Sequence, residues 1–98
     1  MIFPVNDIRK DFPLLAQKVY GRDLIYFDNA ATTQKPEAVI KRISDLYRNK
    51  NSSIHRSVNH LSDQMTSEYE AARDTIRDFI GAESSREIIF TSGATGSL

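Results

Sequence analysis

One long periodic stripe constrains this 98-residue chain more than anything else in it. Leu61, Met65, Tyr69, Ala72, Ile76, Phe79 and Ile80 recur at three- and four-residue spacing, the period of a helix with one apolar face. Ser62 stands where it can cap the start, and Gly81 is the kind of residue on which helices commonly stop. The spacing predicts a helix over 61–80. A shorter stripe, Val39, Ile40, Ile43, Leu46 and Tyr47, predicts another from Pro36 to about Asn49, because the fixed φ of proline suits a first helical turn. An opening helix capped by Asn6 or Asp7 is limited to two turns or fewer by Pro13.

Between the helices the chemistry changes. Tyr20-Gly21-Arg22-Asp23 is rich in turn formers, and the β-branched and aromatic run Leu24-Ile25-Tyr26-Phe27 behind it predicts a strand. Glu87-Ile88-Ile89-Phe90 predicts a second strand, followed by Thr91-Ser92-Gly93-Ala94-Thr95-Gly96-Ser97, a small, hydroxyl-rich loop of the kind that opens the next helix of an α/β unit.

Composition narrows the function classes. Thirteen basic and thirteen acidic side chains cancel, which argues against a nucleic-acid-binding or polybasic membrane module. With no cysteine, and only His55 and His60 as imidazoles, neither a disulfide framework nor a zinc site is expected. The start of the chain has neither the basic nor the apolar stretch of a secretion signal, and no apolar run approaches the ~20 residues of a membrane span. The expectation is a soluble, cytoplasmic protein.

Three places could carry chemistry. A strand, Gly93, Thr95 and a helix start form the arrangement that binds phosphates through free amides, although an ordinary strand-to-helix turn has the same composition. Asp28-Asn29-Ala30-Ala31-Thr32-Thr33 sets two small residues among turn formers, so a backbone can approach a ligand there or simply make a turn. On the residues alone His55-Arg56 reads first as a solvated basic pair and only second as a ligand-binding one, and His60 reads as a surface or capping residue. Lys10, Lys18, Lys35, Lys41 and Lys50 all have polar or charged neighbours, unlike a lysine whose amine is unmasked by apolar surroundings.

Taken together, Leu24 through Pro36, His55 through Ser62, and Ile88 through Thr95 closely resemble the N-terminal part of the SufS-type (group II) cysteine desulfurases, within the class V aminotransferases. The resemblance spans essentially all 98 residues. It implies an α/β enzyme of pyridoxal-phosphate fold type I, of which residues 1–98 form an N-terminal fragment: the N-terminal segment plus the start of the large cofactor-binding domain. This fragment is expected to be mostly helical with at most two short strands. The cofactor implied is pyridoxal 5'-phosphate. The activity implied is conversion of L-cysteine to L-alanine by a homodimer, with the sulfur passed as a persulfide to an acceptor of the SufE or SufU type for iron–sulfur cluster assembly. By the same resemblance Ala94 and Thr95 bind the cofactor phosphate, Ala30 and Ala31 line the substrate end of the pocket, and His55 and Arg56 reach toward the partner subunit's active site.

Residues of the family's complete site have no counterpart here: the lysine that carries the cofactor, the histidine and aspartate that hold its ring, the carboxylate-binding arginine and the persulfide-forming cysteine. The fragment is accordingly expected to be inactive by itself, to contain no catalytic residue and to hold the cofactor poorly. Ser57 and Asn59 stand where the family commonly has glycine and histidine, and Gly96 where it has glutamate. Two other readings remain: a selenocysteine lyase or other class V enzyme, and a non-catalytic module whose amphipathic helices pair between chains.

Overall fold

The computed structural model describes residues 2–98, which divide into two units, 2–49 and 50–98. In the first unit, α1 (Val5–Lys10) follows Pro4, with no side-chain cap, so neither Asn6 nor Asp7 serves as one. It ends before Pro13, which instead opens a 3₁₀ turn over Pro13–Ala16. Arg9 then acts as a staple, its guanidinium donating to the carbonyls of Leu15 (3.2 Å) and Leu24 (3.1 Å).

The strands form elsewhere than the sequence suggests. A two-stranded antiparallel hairpin pairs β1 (Lys18–Val19) with β2 (Arg22–Asp23). Its tip is Tyr20-Gly21, at φ 50° and 75°, the consecutive left-handed residues that a tight hairpin turn of this length requires. Asp23 is hydrogen-bonded to Lys18 across the ladder, and that lysine holds its carboxyl below the usual aspartate range. The run 24–27 forms no strand among the described residues; its one ladder-like bond is the Leu24 amide on the Gln17 carbonyl at 3.3 Å, which prolongs the hairpin by a single rung. A strand is defined by its partner, and β-branched residues only make the backbone ready for one.

Helix α2 (Glu37–Asn49) begins one residue after Pro36, as expected. Its first free amide, that of Glu37, is satisfied by the Asp11 carbonyl at 2.7 Å, one of the orphan donors that every helix start leaves. Val39, Ile40, Ile43 and Tyr47 on its apolar side are exposed.

The second unit is built on α3 (His60–Ile80). Asn59, not Ser62, is its cap, accepting from the Ser62 amide at 2.9 Å. The Ser62 hydroxyl turns the other way and donates to the Ser53 carbonyl at 2.8 Å, which lets a polar residue only 1% exposed stay fully satisfied. Gly81 ends the helix as expected, in the left-handed region at φ 71°, with the Ala82 amide reaching back to the Arg77 carbonyl. Ser84 and Glu87 next form a reciprocal capping box around a 3₁₀ turn, Ser85–Glu87. Glu87 thus belongs to a turn; Ile88 behind it is extended, and 88–90 has no ladder partner among the described residues. Ile88 is the buried apolar residue of the described chain, 7% exposed.

Mostly helical with two short strands, the stretch has the make-up the sequence implies. Among the described residues no helix is long and apolar enough to cross a membrane, and no cluster of side chains could hold a metal ion.

Candidate functional site

The loop after Ile88 gives the clearest site geometry. Thr91 and Ser97 hydroxyls lie 2.6 Å apart, and both reach the Gly93 carbonyl, at 3.0 and 3.1 Å. The Ser97 amide also donates to that carbonyl, which closes the single turn of α4 (Ala94–Ser97). These bonds fold 91–97 upon itself and leave its leading edge open. No side chain caps α4 and no acidic residue lies in its first turn, so the Ala94 and Thr95 amides point out of the helix start as unclaimed donors. The Thr95 hydroxyl likewise has no hydrogen-bond partner among the described residues. Gly96 is not forced by crowding, since a Cβ there would meet Thr91 Cβ at 3.7 Å and Ser92 Oγ at 4.0 Å, both ordinary contacts.

A different device shapes the alanine pair. The Ala31 and Thr32 amides both donate to the Asp28 carbonyl, at 3.1 and 3.0 Å, which makes 28–32 a closed turn. Tyr26 fastens it from outside, its hydroxyl 2.6 Å from the Thr32 carbonyl. Asn29 fastens it from inside, its side chain accepting from the Gln34 amide at 3.0 Å. Ala30 and Ala31 are thereby displayed at an exposed tip. Asn29 and Thr33 also rim an apolar cleft of about 320 Å³ walled by Val5, Ile8, Phe12 and Leu15.

His55 and Arg56 sit in a bend between Ser53 and α3, both exposed. His55 has φ 58°, a conformation that side chains with a Cβ adopt rarely and that needs support from its surroundings. The support is local. Its amide donates to Thr66 Oγ1 (3.2 Å), its Nε2 lies 3.2 Å from Glu70 Oε1, and its ring meets Tyr69 edge-on at 6.2 Å. Beyond it Arg73 spans several groups at once. Its Nε donates to Glu70 Oε2 at 3.1 Å, its Nη1 to the Ile88 carbonyl, and its guanidinium lies 5.5 Å from the Tyr69 ring and 5.3 Å from that of Phe90. Tyr69 and Phe90 themselves pack edge-to-face at 5.0 Å. A continuous set of contacts therefore runs from His55 to the segment that leads into Thr91.

Of the six residues singled out in the sequence, Ala30 and Ala31 belong to the first unit, and His55, Arg56, Ala94 and Thr95 to the second. Asn29 makes the turn its residue type suggests, whereas the supporting roles of Tyr26, Glu70 and Arg73 are not evident from the sequence. Glu70 and Arg73 do carry a signal: they stand three apart on a helix, where opposite charges face one another.

Residues 25–98 match the family model described as aminotransferase class-V. The chain belongs to the class V aminotransferase family. It is 47% identical over 96 residues to a cysteine desulfurase of Synechococcus elongatus, covering 98% of this chain and 15% of that protein. It is 52% identical over 97 residues to a probable cysteine desulfurase of Mycolicibacterium paratuberculosis, with 99% and 14% covered. Among solved structures, the apo cysteine desulfurase from Thermococcus onnurineus NA1 superposes with a TM-score of 0.74 at 40% identity, over 93% of this chain and 21% of that one. The fold is that of a stretch of a type I pyridoxal-phosphate enzyme. The chain spans about one-seventh of the length of the first two relatives.

Proposed function

We propose that these residues serve as the N-terminal portion, 1–98, of a SufS-type cysteine desulfurase, within its N-terminal segment and the start of its cofactor-binding domain. The observation that carries the proposal is the uncapped start of α4 with the free hydroxyl of Thr95 beside it. Two amides, one hydroxyl and no nearby acidic side chain on that turn suit the dianionic phosphate of pyridoxal 5'-phosphate. When bound, that cofactor supplies an electron-withdrawing ring which weakens bonds at the substrate's α-carbon.

In this reading Ala94 and Thr95 hold the phosphate and so fix where the cofactor lies. Ala30 and Ala31, small and held at the tip of a fastened turn, let L-cysteine approach closely. His55 and Arg56 extend toward the active site of a partner subunit in a homodimer. The enzyme releases L-alanine, and the sulfur leaves as a persulfide for an acceptor of the SufE or SufU type, supplying iron–sulfur cluster assembly in the cytoplasm. The 98 residues alone are inert, because holding a phosphate does not replace the group that binds and activates the cofactor.

The test is T95V in the full-length protein, which keeps the side-chain shape and deletes the hydroxyl. Losing one hydrogen bond to a charged group, on the order of 1.5–3 kcal/mol, should weaken pyridoxal-phosphate affinity ~10–100-fold in a spectrophotometric titration. Unchanged affinity would remove the phosphate assignment.

A further inference from the structure

Glu70 lies between two donors. One carboxylate oxygen faces His55 Nε2 at 3.2 Å and the other faces Arg73 Nε at 3.1 Å. An ionised carboxylate only accepts hydrogen bonds, so a neutral His55 facing it must carry its proton on Nε2 and present Nδ1 as a bare acceptor. The carboxylate is not free to swing, because Arg73 grips it while also donating to the Ile88 carbonyl and lying against Tyr69 and Phe90. Arg73 has its side chain 21% exposed, against 53% for that of His55. The anchored end of the array is therefore the arginine and the presented end is the imidazole. Backbone at His55 is held in the left-handed region, with its amide on Thr66, so the ring's direction is set from both ends.

We propose that Glu70 is a positioning residue for His55: locked by Arg73, it fixes the imidazole as the Nε2–H tautomer and turns Nδ1 outward as the acceptor offered to substrate or cofactor. The last clause rests on the reading of His55 as a pocket residue. The tautomer does not.

The deciding variant is E70Q in the full-length protein, which keeps size and shape but leaves one acceptor oxygen where two donors compete. The guanidinium is the stronger, charged donor and takes that oxygen. The amide NH2 then faces His55, which can answer only by accepting at Nε2, and the proton moves to Nδ1. Nitrogen-15 shifts of the His55 ring, read on the alkaline plateau where they no longer change with pH, should show Nε2–H in the wild type and Nδ1–H in E70Q. A role in packing alone would not reverse the tautomer. An E70Q spectrum identical to wild type, in a protein whose circular dichroism is unaltered, would overturn the proposal. H55A separates the two ideas. If it leaves desulfurase turnover at the wild-type rate, the pocket role of His55 is wrong, while the tautomer reversal in E70Q stands or falls independently.

Discussion

Residues 2–49 and 50–98 are close to equal in length, yet they hold themselves together differently. The first unit relies on backbone carbonyls caught by single groups: Arg9 on Leu15 and Leu24, the Glu37 amide on Asp11, Tyr26 on Thr32. Both residues buried in the described chain, Ile88 and Ser62, belong to the second unit, where aromatic rings and a guanidinium are layered beside Ile88. Hydrogen bonds fix direction but each adds only about 1 kcal/mol net, whereas burying a large apolar side chain adds about 1.5–3 kcal/mol. The first unit is thus a set of directed attachments, and the second has the beginnings of a packed nucleus.

That contrast can be broken experimentally. The largest effect should come from I88A, which empties the buried apolar position whose backbone carbonyl Arg73 holds. A loss of about 2–4 kcal/mol is expected in urea unfolding of the full-length protein, while I43A, at a residue 51% exposed, should cost less than ~1 kcal/mol. Equal losses would erase the distinction between the units.

Next come the glycines of the second unit. G81A should cost about 1–2 kcal/mol, since any Cβ is disfavoured at φ 71°. G96A, inside the single turn of α4 where a Cβ would meet Thr91 and Ser92 only at ordinary contact distance, should instead gain about 0.5–1 kcal/mol. Opposite signs in thermal melts would confirm that backbone shape, not volume, decides both positions.

The smallest effect belongs to the hairpin of the first unit. Asp23 is lowered mainly by its hydrogen bond and attraction to Lys18. A lowered folded-state value means that its contribution is present above the unfolded aspartate value, about 3.9, and is lost as pH falls through the lower folded value. Amide exchange of Val19 and Arg22 should therefore accelerate only in that acid range, and D23N should abolish the pH dependence. Since the pair is solvent-exposed, any change near neutral pH should be slight.

What the sequence made legible follows from which forces are local. Helices α2 and α3 and the stop at Gly81 depend on spacing and on one residue's φ, both written along the chain. The segments 24–27 and 88–90 have strand chemistry but form no strand, because pairing depends on residues far away in sequence. Ser62 shows a subtler limit. Asn59 and Ser62 both have cap chemistry, and the choice went to Asn59 because the Ser62 hydroxyl was needed at the Ser53 carbonyl. At the site, the hydroxyls and small residues of 91–97 suggest an anion loop, and the uncapped turn of α4 is the feature on which the proposed phosphate site rests. The array behind His55 stayed hidden because Tyr69 reads as one more member of an apolar stripe, and only its position beside Phe90 and Arg73 gives it another part.

The bond from Ser62 to Ser53 has a practical meaning for anyone rebuilding this protein. It cinches the neck of the segment between them, so the ends of that bight stay together whatever hangs from it. Val58, wholly open to solvent at its outer bend, is where extra residues could be spliced in most cheaply, since each doubling of a tethered loop costs only about 0.6 kcal/mol.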